Sequence, residues 1–437
     1  MEKVIRRTYS VCPVCGRRLD ARIVVKNGAT WLEKSCPEDG DFSVLIWKNK
    51  KSIFSWYGEA EELKEGESER CPSACAEGGL CPEHKNDTCC VVLEVTERCN
   101  LHCRYCFADK KNGPDIPFEE LRREMAGFIV PGKTLVQLSG GEPTMRDDLP
   151  ELVAAAKELG CKYVQLNSNG IRLAEDESYV KKLAEAGLSF VFMQFDGTDD
   201  EIYKILRGKA LFAVKEKAIA NCAKYNLGVT LVPTVVPGVN SAAVGDILRY
   251  GVKMSPAVRG VHFQPVAHLG RIPHLPRDES RFTLDELMLE IERQTDGLVG
   301  DGNLQPSKCD HPLCGFHGDF IVKQDGTLYP LTRKRDDAAC CCCGAENPAD
   351  KNREFVGRRW QRPEGDCCAP AATEDMQDMD YFLSRLSSHG FTVTSMAFQD
   401  AGNLDVERLR MCSLHVAKNG RLVPFCVNYL TLWKEPA

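Results

Sequence analysis

Between Val91 and Pro265 the chain alternates short apolar runs with amphipathic stretches. The runs Val91–Thr96, Thr134–Ser139, Tyr163–Asn167, Phe190–Phe195, Val229–Val236 and Val261–Gln264 have the length and composition of buried strands. Between them, Phe118, Leu121, Met125 and Phe128 recur at helical spacing within Phe118–Val130. Leu149–Leu159, Tyr179–Leu188, Val214–Tyr225 and Ala242–Tyr250 also fit helices. Strand–helix units of this kind, joined by right-handed crossovers, predict a parallel sheet with helices outside it. Eight units close a conventional barrel; the pattern here supplies six.

The flanks read differently. Ala21–Val25, Thr30–Glu33 and Phe42–Trp47 alternate like the strands of a small antiparallel unit. Lys51–Glu69 is a polar connector. Beyond the alternating region, Thr283–Gln294 predicts a helix, and Phe320–Val322 with Thr327–Pro330 around Asp325-Gly326 predicts a hairpin. Phe382–Leu386 fits a further helix. The expected organisation is a metal knuckle over 1–65, a cysteine-rich segment over 66–90, an α/β partial barrel over 91–300 and a cysteine-rich C-terminal region over 301–437.

Composition narrows the class. With 43% hydrophobic and 27% charged residues, this is the chemistry of a soluble globular protein. A formal net charge of −7 argues against a general nucleic-acid or anionic-membrane surface. No 18-residue apolar run is present, and residues 1–7 lack the apolar core of a secretory signal. The expectation is a cytoplasmic protein, compatible with peripheral contact at a membrane. Twenty-three cysteines in a chain of this length, closely clustered, favour metal ligation over a disulfide scaffold.

The densest chemistry is Cys99, Cys103 and Cys106, spaced C-x3-C-x2-C just after the first strand. Such spacing lines no single face of a helix or strand, but a loop can bring all three thiols to one centre. Three thiolates without a local fourth suit a four-iron cluster with one open iron; a structural zinc knuckle is the alternative. Cys12, Cys15 and Cys36, with Asp39 at the spacing of a fourth ligand, have the layout of a rubredoxin-like or zinc-ribbon site for zinc or mononuclear iron. Cys71, Cys75, Cys81 and Cys89 are expected to hold an auxiliary four-iron cluster, with His84 as an alternative ligand and Cys90 as a buried neighbour. Cys309 and Cys314 with the distant Cys412 and Cys426 are expected to hold another, with zinc as the alternative. Cys340–Cys343 and Cys367-Cys368 receive no assignment, because adjacent side chains diverge.

The stretch Glu94–Ala108, carrying the cysteine trio after the first strand, resembles the signature of the radical S-adenosylmethionine (SAM) superfamily. The resemblance implies an incomplete (β/α)6 barrel, a SAM-binding cluster on the trio and multiple clusters in all; the three cysteine groups set the expectation at three [4Fe-4S] clusters. It casts Ser139, Gly140, Gly141 and Glu142 as the loop that receives the SAM amino group, and Asn167 and Asn169 as contacts to its ribose or carboxylate. Gln194 and Asp196, at the end of the fourth strand, fall on the ligand side of such a barrel. Cys81–His84, Gln194–Gly197, Arg207-Gly208, Arg259–Pro265 and Pro424–Cys426 resemble one branch in particular. That branch contains archaeal tetraether lipid synthase and a pterin-methylating enzyme of methanogens. It implies reductive cleavage of SAM to a 5′-deoxyadenosyl radical, with electrons from a donor such as ferredoxin or flavodoxin. The expected outcome is carbon–carbon bond formation on a lipid alkyl chain. The alternatives are C-methylation of a pterin or other small molecule, radical modification of a peptide, and a multi-cluster electron carrier.

Overall fold

The computed structural model describes residues 2–58, 71–109, 113–300, 302–332, 347–362 and 379–433. Most of the polar connector, Cys340–Cys343 and Cys367-Cys368 lie outside the described residues.

Period-two alternation at the N-terminus produces four antiparallel strands in sequential order: β1 (Lys3–Val11), β2 (Arg18–Lys26), β3 (Ala29–Cys36) and β4 (Gly40–Trp47). Asn27-Gly28 turns β2 into β3 with both residues at positive φ, 51° and 75°. An Asn-Gly pair favours that left-handed geometry, whose twist matches the flanking strands.

The alternating middle of the chain forms β5 (Cys90–Thr96), β6 (Leu135–Gly140), β7 (Tyr163–Ser168), β8 (Phe190–Gln194), β9 (Gly228–Val232), the short β10 (Thr234–Val235) and β11 (Val258–Pro265). Strands β5, β6, β7, β8, β9 and β11 pair in that order, all parallel. The expected partial (β/α)6 barrel is present, with helices at Phe118–Phe128, Leu149–Glu158, Glu177–Glu185, Phe212–Lys224 and Val244–Lys253. Val91, Leu93, Val136, Leu138, Val164, Leu166, Val191, Val229 and Val261 turn outward and share one buried core with those helices. Strand alternation therefore aims Glu94, Gln137, Gln165, Asn167, Gln194, Thr230, His262 and Gln264 into the lumen.

The last third of the chain completes the sheet rather than standing beside it. It contributes β12 (Gln305–Pro306), β13 (Gly315–Val322), β14 (Leu328–Pro330), β15 (Gly390–Met396), β16 (Leu414–Lys418) and β17 (Arg421–Pro424). β15 joins β11 in parallel at one edge, and β16 joins β5 in parallel at the other. Both edges of the six-strand sheet are thus paired, which removes exposed ladders. The expected hairpin is β13–β14, with Phe320 opposite Pro330. Helix Pro348–Trp360, which the apolar pattern did not announce, closes the lumen floor. There Trp360 packs 4.6 Å from the Phe192 ring centroid and donates from Nε1 to Thr392 Oγ1 at 2.9 Å.

Polar groups tie the N-terminal sheet to the C-terminal region. Arg6 is paired with Asp405, Thr8 Oγ1 donates to the same carboxylate at 2.7 Å, and Lys34 Nζ donates to the carbonyls of Ala401 and Gly402, each at 2.8 Å. Arg6 and Asp405 are almost fully buried, so removing one charge strands the other away from water. Asp405→Ala is expected to cost about 3–5 kcal/mol of stability, read as a lower urea midpoint at unchanged slope. An unchanged midpoint would refute this role for the pair.

Candidate active site and metal centres

The cysteine trio sits in the loop leaving β5, and three close approaches hold that loop. Arg98 donates to Asp115 through Nε at 3.0 Å and Nη2 at 2.6 Å, and to the Met145 carbonyl at 2.7 Å. From the β6 side, Gly141 N donates to Thr96 O and Glu142 N to Arg98 O, both at 2.8 Å. A Cβ on Gly140 would fall 2.4 Å from Thr96 O, and one on Gly141 only 2.2 Å from Arg98 O. From the opposite side, Cys106 and Arg271 exchange backbone hydrogen bonds of 2.9 and 3.3 Å. Gly270 at φ +60° leaves no room there for a side chain, since its Cβ would meet Phe107 O at 2.3 Å. The glycines at the end of β6 are required by backbone proximity to the cysteine loop, whatever ligand they also meet.

Cys99, Cys103 and Cys106, each half-buried, line one cavity of about 220 Å³. Ser139, Gly140, Gly141, Glu142, Asn167, Asn169 and Gln194 line it as well. The buried Glu142 carboxylate accepts from Thr144 Oγ1 at 2.7 Å, Ser168 Oγ at 2.8 Å and Asn169 N at 2.6 Å. Burial raises its pKa, and these donors pull in the opposite direction. Asn169 Nδ2 reaches Asn100 Oδ1 at 2.7 Å and so couples the loop after β7 to the cysteine loop.

Asp196 is not on the cavity wall. It is fully buried and grips Arg207 at 2.6 and 2.8 Å, while Arg207 lines the cavity with Cys103 and donates to Thr234 Oγ1 at 3.2 Å. The ligand-side group delivered by this strand end is a guanidinium held by a carboxylate. Lys215 completes the network: its Nζ donates to Asn169 O at 2.5 Å and Gln194 Oε1 at 2.7 Å. Burial pushes the Lys215 pKa down to about 7. The sequence reading passed over Lys215, although its signal was present. It occupies the buried stripe Lys215, Ala218, Ile219, Cys222 of its helix, where a lysine requires partners.

In the N-terminal sheet, Cys12, Cys15, Cys36 and Asp39 converge as expected. The Cys12 and Cys36 sulfurs lie 3.0 and 3.3 Å from Asp39 Oδ2, and Cys15 Sγ lies 3.8 Å from Cys36 Sγ. Three sulfurs and one oxygen in this arrangement fit a four-coordinate zinc-type ion. Cys71, Cys75 and Cys81 also converge, with Cys71 Sγ 3.6 and 3.7 Å from the other two sulfurs.

The other expected ligands are distributed differently. Cys89 does not join Cys71, Cys75 and Cys81; its sulfur faces that of Cys309 and accepts from Asn352 Nδ2 at 3.2 Å. The cause is strand entry, since Cys89 N donates to Ser413 O at 2.8 Å, drawing it toward the start of β16. Cys314, Cys412 and Cys426 surround a small cavity with Asp310 and Arg408, while Cys309 turns from them to donate to Asp310 at 3.2 Å. His84 reaches His415 at 3.2 Å between the Nε2 atoms, and its Nε2 lies 2.7 Å from the Cys412 carbonyl. Cysteine convergence at several centres fits iron–sulfur binding, and no disulfide occurs among the described residues.

Two predictions follow from this geometry. Gly141→Ala pushes the cysteine loop outward, so the reconstituted variant should lose the EPR signal of the reduced loop cluster; a wild-type signal would refute the contact. Asp39→Ala should weaken retention of the N-terminal metal about tenfold or more, and Asp39→Cys should restore it. Competition with a chromogenic chelator measures both, and equal retention in all three proteins would exclude Asp39 as a ligand.

Comparison with known proteins agrees with this geometry. Residues 93–251 match the radical SAM superfamily model, and residues 4–48 match the model of the HMPTM N-terminal zinc ribbon domain. The chain is 33% identical to the 7,8-dihydro-6-hydroxymethylpterin dimethyltransferase of Methanocaldococcus jannaschii, over 98% of this chain and 94% of that protein. It is 29% identical to a probable GTP 3′,8-cyclase of Methanococcus aeolicus, over 56% of this chain and 80% of that one. Among solved structures, Streptococcus suis SuiB bound to its precursor peptide SuiA aligns with a TM-score of 0.39 and 17% identity, over 48% of this chain and 46% of that chain. With its signature loop, its partial barrel and a relative aligned nearly end to end, the chain belongs to the radical SAM superfamily, in the family of the dihydropterin dimethyltransferase.

Proposed function

We propose that this enzyme is a radical SAM C-methyltransferase acting on a reduced pterin. The observation that carries the reading is the near end-to-end match to a 7,8-dihydro-6-hydroxymethylpterin dimethyltransferase. The cavity supports it over coupling of lipid alkyl chains. A saturated chain calls for an unbroken apolar wall, whereas outside the positions assigned to SAM this cavity still carries the amide of Gln264. Among the described residues no helix is long and apolar enough to cross a membrane.

Cys99, Cys103 and Cys106 would hold three irons of a [4Fe-4S] cluster. Bound there together with SAM, and given one electron by a low-potential donor such as ferredoxin or flavodoxin, that cluster would supply radical chemistry able to abstract hydrogen from carbon. Around it the chain provides orientation. Gly140 and Gly141 allow close backbone approach, and Arg207 offers a fixed cation for a carboxylate. Lys215 fixes Gln194 and the Asn169 carbonyl, so the pocket needs little rearrangement to receive SAM. Cys71, Cys75 and Cys81 are the proposed ligands of one auxiliary cluster, and Cys314, Cys412 and Cys426 those of the other. Cys89 and Cys309, lying together, are candidates for a remaining position at either.

Anaerobically reconstituted enzyme with reductant, 7,8-dihydro-6-hydroxymethylpterin and excess SAM, one molecule as radical source and a second as one-carbon donor, should release 5′-deoxyadenosine in proportion to a methylated pterin identified by isotope-resolved mass spectrometry. Cys99→Ala, Cys103→Ala and Cys106→Ala should each abolish the nucleoside. Its full formation in any of them would overturn the radical site, and turnover only with a lipid or a peptide would overturn the substrate. Mössbauer spectroscopy should find about twelve cluster irons per chain, as three four-iron centres require. A count near four would remove both auxiliary clusters.

A further inference from the structure

The lumen is rich in side-chain amides, and nearly all of them are engaged. Gln137 Nε2 donates to Cys90 Sγ at 3.0 Å, Gln165 Nε2 to Asn167 Oδ1 at 2.7 Å, and Gln194 links Lys215 to Asp196. Gln165 Oε1 is buried without a partner but is off the cavity wall, whereas Gln264 has both amide atoms free on that wall. It lies on the lumen face of β11, between the core residue Phe263 and Pro265, and lines the cavity. Its amide has no hydrogen-bond partner among the described residues, and it is only half-buried. Its register partner Thr234 is taken up by Arg207 at 3.2 Å, and Phe192, Val232, Leu269 and Phe398 add apolar wall. An amide presenting a donor and an acceptor side by side in such a setting carries unused hydrogen-bonding capacity.

The charge of the cavity narrows what can use that capacity. Glu142 and Arg207 are the charged side chains on its wall. Glu142 is satisfied by Thr144, Ser168 and Asn169, and Arg207 by Asp196. Two residues before Gln264, His262 bonds Thr394 Oγ1 through Nδ1 at 2.9 Å. Burial holds its pKa down at about 4, so the imidazole is neutral at physiological pH. A nucleoside triphosphate entering here would find a single cation, Arg207, already paired with Asp196 and assigned to the SAM carboxylate, against its several phosphate charges.

We propose that Gln264 is the specificity-determining residue of the substrate side, pairing its amide with the amide-type edge of an uncharged planar heterocycle held in the aromatic-walled cavity. This rests on the reduced-pterin reading and names the group that recognises the ring. A glutamine amide can make two parallel hydrogen bonds to a heterocycle that presents adjacent donor and acceptor atoms, as it does to adenine. Leucine at the same position keeps the bulk and loses both bonds, leaving the ring edge unpaired in a desolvated site.

The test uses full-length, anaerobically reconstituted protein as wild type, Gln264→Leu and Gln264→Glu. Each is titrated with 7,8-dihydro-6-hydroxymethylpterin, followed by pterin fluorescence, and separately with SAM and with GTP. Gln264→Leu should raise the pterin Kd about tenfold or more, and in turnover should raise KM more than it lowers kcat. The SAM Kd and the EPR spectrum of the reduced cluster report whether the site is otherwise intact. Gln264→Glu keeps size and one acceptor, so an intermediate loss with an intact spectrum supports the paired contact even if the leucine variant is unstable. GTP should not compete with the pterin for the wild type. A pterin Kd within twofold of wild type in both variants overturns this inference and leaves the proposed function standing. A wild type that cleaves SAM yet binds no dihydropterin overturns both.

Discussion

The catalytic half of the molecule depends on a tight approach between two pieces of backbone, the end of β6 and the loop leaving β5. With a Cβ at Gly141 destined for a point 2.2 Å from the Arg98 carbonyl, the two segments tolerate no side chain between them. That approach orders the cysteine loop against the sheet, sets Glu142 where Ser168 and Asn169 can reach it, and brings Asn100 to Asn169. The position of the thiols is therefore a property of the sheet. A loop with three potential metal ligands would otherwise have many alternative conformations, and the contacts remove them before any metal binds.

The polar groups around the cavity form a second layer of the same kind. Arg207, Asp196, Lys215 and Gln194 are linked into one buried network, each satisfied by the others or by backbone carbonyls. Isolated, any of these charges would be costly to bury; together they are compensated within the folded protein. Through Arg207 Nη2 to Thr234 Oγ1 at 3.2 Å the network reaches β10, which pairs with Gln264 of β11, so one set of buried groups also braces the strand end that carries that amide.

What the amino-acid sequence disclosed follows the range of the interactions involved. Asn27-Gly28, the alternating strands, the Asp325-Gly326 hairpin and the three-thiol loop are encoded within a few residues, and each appears in the structure where its pattern indicates. Cys12, Cys15, Cys36 and Asp39 converge for the same reason, since two tight turns suffice to bring them together. Cys89 was grouped with its neighbours in sequence, yet a backbone bond to Ser413 carries it to Cys309. Asp196 was read as a ligand contact because it ends a strand, but the partner that buries it comes from the following helix. Strand pairing across hundreds of residues leaves no local periodicity, so the placement of β15 and β16 at opposite edges was not legible either.

Those two edge strands also impose an order of events on the nascent chain. The cysteine loop and all six central strands are synthesised well before Gly390, while the sheet still has open ladders at both sides. Such non-local pairings form late because their loop-closure entropy must be met first. During that interval the cysteine loop belongs to a half-open sheet that is exposed at its flanks and lacks the Phe398 and Phe425 rings that later pack near it. Chain order therefore places the three thiols in a half-built sheet before the strands and rings that flank them in the finished site exist.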